Sequence, residues 1–234
     1  LRAVYSASEI VGLDEVLIEA HDIAERLAGD TDDQLARDAF MWRQSQAVAA
    51  FALDPRLGAL AAELIGAKGI RLIHDVTLDK RREHGPTPWH RDSDFWSFTG
   101  VGALTMWIPL QDTPLSMSPL HYASGSHLER NRRPLRRIEK TFIPARFRIA
   151  SSALTIGDVA VHHYETLHGA PKNREARSRR AFAVHLIDAD ARFRKSTGDG
   201  HMEHSRRCGW DRLGDGDPFP DDIAPLVYRV PSAE

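Results

Sequence analysis

A chain of 234 residues with 42% hydrophobic and 27% charged residues has the length and composition of a globular protein with a substantial core. Its formal net charge of −2 lacks the basic excess of a nucleic-acid binder, and its single cysteine, Cys208, excludes an internal disulfide framework. No apolar stretch approaches a membrane span and Leu1–Tyr5 lacks the layout of a secretion signal, so the expectation is a cytoplasmic protein, a monomer or homodimer, with one domain over 1–234 and no membrane or nucleic-acid partner.

The first 68 residues read as mainly helical. Ser6-Ala7-Ser8-Glu9 has the form of a capping box, and Ile10, Leu13, Val16, Leu17, Ala20, Ile23, Ala24 and Leu27 then recur at helical spacing up to a stop at Gly29. A second helix is expected over about Asp33 to Ala52. A third follows Asp54-Pro55, an N-cap with proline at the first helical position, and carries Leu57, Leu60, Ala61, Leu64 and Ile65 up to Gly66.

From 69 to 234 short β-rich runs replace the helical period. They cover Ile70 to Leu78, Ala103 to Leu110, Leu154 to Ile156, Val159 to Tyr164, Ala181 to Ile187 and Leu226 to Val230. Strands so spaced, without helices between them, predict an antiparallel barrel or jelly roll with the N-terminal helices packed outside it.

The segment Pro88-Trp89-His90-Arg91-Asp92 places an imidazole and a carboxylate two residues apart, on one face of an extended strand. Alone, that triplet is nonspecific in a chain with 12 histidines. It gains meaning from the run Gly157 to Ala170, which delivers His168 at the end of an apolar strand, with Arg179-Arg180 just beyond. Two histidines and one carboxylate with open positions between them make the facial triad of iron(II) oxygenases.

The stretch from about Gly69 to Ile187 resembles the phytanoyl-CoA dioxygenase family of 2-oxoglutarate-dependent oxygenases. The resemblance rests on Trp89-His90-Arg91-Asp92, Leu104 to Asp112, Ser124-Gly125-Ser126-His127, Gly157-Asp158, His168-Gly169 and Arg179-Arg180-Ala181, in that order. It implies a mainly β, double-stranded β-helix core. It also implies His90, Asp92 and His168 as iron(II) ligands, and Arg179 as the clamp on the distal carboxylate of 2-oxoglutarate. Trp107 falls beside the co-substrate, and Thr105, on the same strand face, offers it a hydroxyl. The implied reaction uses dioxygen and releases succinate and carbon dioxide while oxidising a small-molecule substrate. Relatives act on acyl thioesters, amino acids, compatible solutes and secondary metabolites. Those that halogenate replace the carboxylate, so Asp92 points to hydroxylation, desaturation, cyclisation or epimerisation.

Three positions depart from the family pattern. A serine that touches the co-substrate often follows His-Gly, and here it is Ala170. Arg91 stands where glutamine is common, and Met117-Ser118-Pro119-Leu120 replaces an Asn-Gly-Pro-Leu turn. Trp96 and Phe98, after the Asp92 ligand, are candidate substrate contacts or a hydrophobic wall. His162 and His163 read as packing or supporting residues, and Lys80, Arg81 and Arg82 as a solvated loop or, alternatively, a contact for an anionic substrate. Arg130, Arg132, Arg133, Arg136 and Arg137 form an exposed run or a thioester phosphate site, and Cys208 has no evident base beside it. Two other readings share the triad: a non-oxidative zinc or manganese cupin, and a metal-retaining binding module.

Overall fold

The computed structural model describes residues 1–28, 39–82, 84–129, 146–196 and 199–231. The capping box is formed: Ser6 N donates to Glu9 Oε2 at 2.8 Å and Glu9 N to Ser6 Oγ at 3.3 Å, opening α1, Ala7–Ala28. Ile10, Leu13, Leu17 and Ala20 form its buried stripe.

The second helix is shorter than its apolar spacing predicts, and residues 33–38 of it lie outside those described. Ala39 bridges to Val76, Phe40 is left-handed at φ 60°, and one 3-10 turn spans Met41–Arg43. Backbone competition explains the difference. Phe40 N donates to Asp75 O at 2.9 Å and Trp42 N to Asp75 Oδ1 at 3.3 Å, so the segment is tied to a strand instead of to its own preceding turn. Ser45 then caps α2, Gln46–Ala52, while Asp54, the cap expected from the sequence, opens α3, Pro55–Ile65.

The strands are β1 Gly69–Lys80, β2 Thr87–His90, β3 Phe98–Thr99, β4 Ala103–Pro109, β5 His121–Ala123 and β6 Ile149–Ala150. They continue as β7 Ala160–His163, β8 His168–Ala170, β9 Arg179–Asp188, β10 Arg192–Phe193 and β11 Leu226–Arg229. The fourth helix, α4, covers Asp199–Cys208. Leu154, expected in a strand, makes an isolated bridge to Thr113.

Among the described residues every strand pairing is antiparallel. One sheet runs β11-β1-β9-β4-β7, a second β2-β8-β5-β6, and β10 pairs with β3. This is the mainly β jelly-roll architecture, with helices outside. Alternation along the strands sorts the two faces of the larger sheet. Leu104, Met106, Ile108, Phe182, Val184 and Leu186 meet α1, α2 and α3 in one hydrophobic cluster. Thr105, Trp107, Ala183 and His185 turn instead to the interior, where they line a cavity. Cross-strand register sets His74, His185, Thr105 and His162 in one row across β1, β9, β4 and β7. Among the described residues no helix is long and apolar enough to cross a membrane.

Candidate metal centre

β2 and β8 pair with His90 opposite His168, and their ring centroids are 4.3 Å apart. His90 Nδ1 lies 2.8 Å from Pro88 O, and His168 Nδ1 lies 3.0 Å from Thr166 O. A carbonyl accepts only, so each Nδ1 carries the proton and each Nε2 presents a lone pair. Those Nε2 atoms stand 3.9 Å and 3.6 Å from Asp92 Oδ1. One ligand atom from each of the three residues lies within 4.8 Å of the others. Atoms about 2.1 Å from a shared divalent ion stand about 3–4 Å apart, so the spacing suits a metal. Burial, with His162 and His90 beside it, holds His168 well below its usual pKa, in the neutral form a metal needs.

The other Asp92 oxygen is held by the protein. Thr105 Oγ1 donates to Oδ2 at 2.6 Å, and His162 Nε2 stands 3.3 Å from it. Thr105 Oγ1 is also 2.8 Å from His185 Nδ1. With its proton given to Asp92, the hydroxyl accepts from His185. Burial opposes ionisation of Asp92, but the surrounding imidazoles, His168 and His162 foremost, outweigh it and keep the carboxyl well below the usual range. Oδ1 is left facing the two metal-ready nitrogens.

The triad stands at a cavity of about 160 Å³ that also meets Thr87, Trp107, His162 and Arg179. Arg179 is 3% exposed and its Nη1 donates to Ser118 O at 2.6 Å, while its guanidinium carbon is 5.2 Å from the Trp107 ring centroid. Ser118 sits in the replaced turn with φ 58°. Burial pulls Arg179 down to about 10. Arg179 Nε, Trp107 Nε1 and Tyr122 OH are buried donors with no partner. Buried polar groups are ordinarily satisfied, so these three leave room for an acceptor.

The sequence candidates divide accordingly. His90, Asp92, His168, Thr105, Trp107 and Arg179 share the cavity. Thr105, expected to offer its hydroxyl to the co-substrate, has it committed to Asp92 and His185. Trp96 is 5% exposed and stands behind His185, ring centroids 5.2 Å apart, in a hydrophobic cluster with Phe193 and Trp210. Phe98 packs on Tyr164 and pairs with Phe193. Neither is among the cavity residues; both belong to the hydrophobic cluster behind His185. Phe95, 40% exposed and 6.1 Å from the His90 ring, is the aromatic that overlooks the triad. It follows the 3-10 turn Asp92–Asp94, a place with no periodic signal.

Arg91 is buried and its side chain turns away from the metal ligands. Its Nε donates to Glu165 O at 3.1 Å and its Nη2 to Glu129 Oε2 at 2.9 Å. Glu129 Oε1 accepts from Arg146 at 2.7 Å. The run Arg130 to Arg137 lies outside the described residues. Lys80 is buried, against the expectation of a solvated loop, because β1 extends two residues beyond its apolar pattern. Cys208 does have a base at hand, His204 Nε2 at 3.0 Å, one turn earlier on α4. Burial raises the thiol pKa far above its usual value, which keeps it inert.

Comparison with known proteins follows the same lines. A search of curated proteins finds no match to this chain. Among solved structures, the chain is similar to the non-heme alpha-ketoglutarate-dependent epimerase SnoN from nogalamycin biosynthesis. Identity is 26% and the TM-score 0.76, covering 98% of this chain and 92% of that one. The carbocyclase SnoK from nogalamycin biosynthesis matches at 26% identity and TM-score 0.78, covering 97% and 90%. SnoN in complex with Fe3+, alpha ketoglutarate and nogalamycin RO matches at 25% and 0.72, covering 97% and 92%. The family model for phytanoyl-CoA dioxygenase matches residues 14–181, most of the chain's length. The chain therefore belongs to the phytanoyl-CoA dioxygenase family and is an iron- and 2-oxoglutarate-dependent oxygenase.

Proposed function

We propose that His90, Asp92 and His168 hold iron(II), that Arg179 grips 2-oxoglutarate, and that the substrate is a secondary metabolite. The observation that carries this reading is the convergence of three ligand atoms beside a cavity whose wall bears an arginine with no ion-pair partner among the described residues. The donor set suits the ion: two neutral imidazoles and one carboxylate leave open positions for a chelating keto acid and dioxygen. Arg179, Trp107 and Tyr122 suit the co-substrate, since each keeps a buried donor unspent. When bound, iron and 2-oxoglutarate together activate dioxygen and oxidise an unactivated substrate carbon, with release of succinate and carbon dioxide.

The protein's own part is positioning and charge. Backbone carbonyls 88 and 166 fix the tautomer and angle of the two imidazoles. Thr105 holds one carboxylate oxygen, with His162 Nε2 3.3 Å from it, so that the other faces the ion. Trp107 backs the guanidinium of Arg179, and the Ser118 carbonyl fixes its direction. Asp92 fills the place that halogenation needs vacant, which favours hydroxylation, desaturation, cyclisation or epimerisation.

The secondary-metabolite class follows from near full-length similarity to an epimerase and a carbocyclase of one antibiotic pathway. The same reading has Phe95 meeting the substrate at the open side of the triad. A lone buried thiol suits a reducing cytoplasm, and the proposed state is monomer or homodimer. An anaerobic titration with iron(II) and 2-oxoglutarate tests the co-substrate: a weak visible charge-transfer band should grow in and saturate at one equivalent. Bound iron without that band overturns the reading.

A further inference from the structure

Lys80 is the last residue of β1, and its register partner on β9 is Arg179. Val76 and Leu78 line the cavity, and strand alternation puts Lys80 on their face. The side chain is buried, with the residue 6% exposed. Its ammonium donates to Thr87 Oγ1 at 2.9 Å and to Ala170 O at 3.3 Å. Among the described residues neither Lys80 nor Arg179 forms an ion pair. Asp79, its neighbour, points to the other face and pairs with Arg81 at 3.4 Å.

Lys80 stands behind the lining, and Thr87, which accepts from its ammonium, is the lining residue between it and the cavity. Two buried cations side by side on adjacent strands, with no ion-pairing carboxylate among the described residues, are costly, because each loses hydration and repels the other. Burial first, and Arg179 second, pull Lys80 down to about 8. Such a pair is tolerable where an anion from outside completes it. An ammonium has three donors, and two of the three on Lys80 go to neutral oxygens. The third is free for a ligand. The carbonyl it touches belongs to Ala170, the position where relatives carry a serine that contacts the co-substrate.

We propose that Lys80 and Arg179 jointly bind the distal carboxylate of 2-oxoglutarate, with Lys80 replacing the hydroxyl that Ala170 lacks. This rests on the co-substrate reading above. It makes Lys80 a determinant of selectivity for a keto diacid over a keto monoacid.

The test compares 2-oxoglutarate with 2-oxopentanoate, which has the same chelating end and no distal charge. Each is titrated anaerobically into the iron(II) protein, with the visible chelate band giving the dissociation constant. Lys80→Met should weaken 2-oxoglutarate at least about tenfold, the loss expected for one charge-assisted hydrogen bond. It should leave 2-oxopentanoate within about twofold, since the monoacid never meets Lys80. Lys80→Arg, which keeps the charge, should retain most of the preference. Iron stoichiometry in each variant controls for folding. Equal weakening of both keto acids assigns Lys80 a purely structural role and overturns the proposal, as does unchanged binding of 2-oxoglutarate. A wild-type protein that binds both equally well overturns the co-substrate reading beneath it, and Lys80's role with it.

Discussion

At the scale of single residues, Thr105 carries more than its size suggests, because one hydroxyl joins Asp92 Oδ2 to His185 Nδ1. Thr105→Val keeps the shape and removes the link. Groups that orient metal ligands are typically worth about 10–100-fold in metal affinity. Competition with a chelator should show iron held that much more weakly by the variant, and unchanged affinity would remove Thr105 from the site's support. Asp92→Ala should abolish succinate formation coupled to product, and unchanged yields of both would end the ligand assignment. These residues were legible because their chemistry repeats in a fixed order: His90-Arg91-Asp92, then His168-Gly169, then Arg179. Lys80 and Trp96 were not. Which way a side chain faces near a strand end or in the irregular segment after a 3-10 turn depends on tertiary packing and cross-strand register, and the local sequence does not contain it. The His204–Cys208 contact could have been read from helical i, i+4 spacing.

At the scale of elements, β2 and β8 must lie close for their histidines to meet. Gly169 makes this possible: a Cβ there would stand 2.9 Å from Thr87 O and 3.3 Å from Pro88 O. Gly169→Ala should push the strands apart, costing about 1–3 kcal/mol of stability and weakening metal binding. A chemical denaturation curve together with a metal titration would check both effects, and a variant with unaltered metal affinity would count against this view of the strand pair. Asp75 plays a comparable part between β1 and the segment before α2. Burial raises its carboxyl to about 7, and its Oδ2 has no partner. A folded-state pKa above the unfolded value means that its contribution is whole below about pH 4 and is lost as pH rises through about 7. Asp75→Asn should therefore gain on the wild type by a few degrees of Tm at pH 8 and by much less at pH 5. A gap of the same size at both values would rule out titration of Asp75 as its cause. The same residue explains the misread second helix. Periodicity reports which positions are apolar, but not that Asp75 takes the amides of Phe40 and Trp42 for itself. Strands β1, β4, β7, β9 and β11 were legible because β-branched and aromatic runs between turn residues survive in any packing.

At the scale of the molecule, the two sheets enclose a cavity whose wall holds metal-ready nitrogens and Arg179, a cation with no ion pair among the described residues. Filling it should stabilise the whole fold. Iron(II) with 2-oxoglutarate at about 100 times the dissociation constant adds about 2.7 kcal/mol, or about 5–11 °C in Tm. Thermal melts under argon with and without a chelator would read this, and equal melting points would mean that neither ligand prefers the folded chain. Arg91 extends the site's reach in another direction. Because it sits between two ligands yet turns its guanidinium outward, the metal loop is fastened through Glu129 to Arg146, the residues flanking the arginine-rich stretch 130–145 on either side. One carboxylate thus acts as a rivet through both stems of that stretch and the loop that grips the ion. Loosening Glu129 would therefore unsettle the seat of His90 and Asp92 and the fixing of Arg146 together.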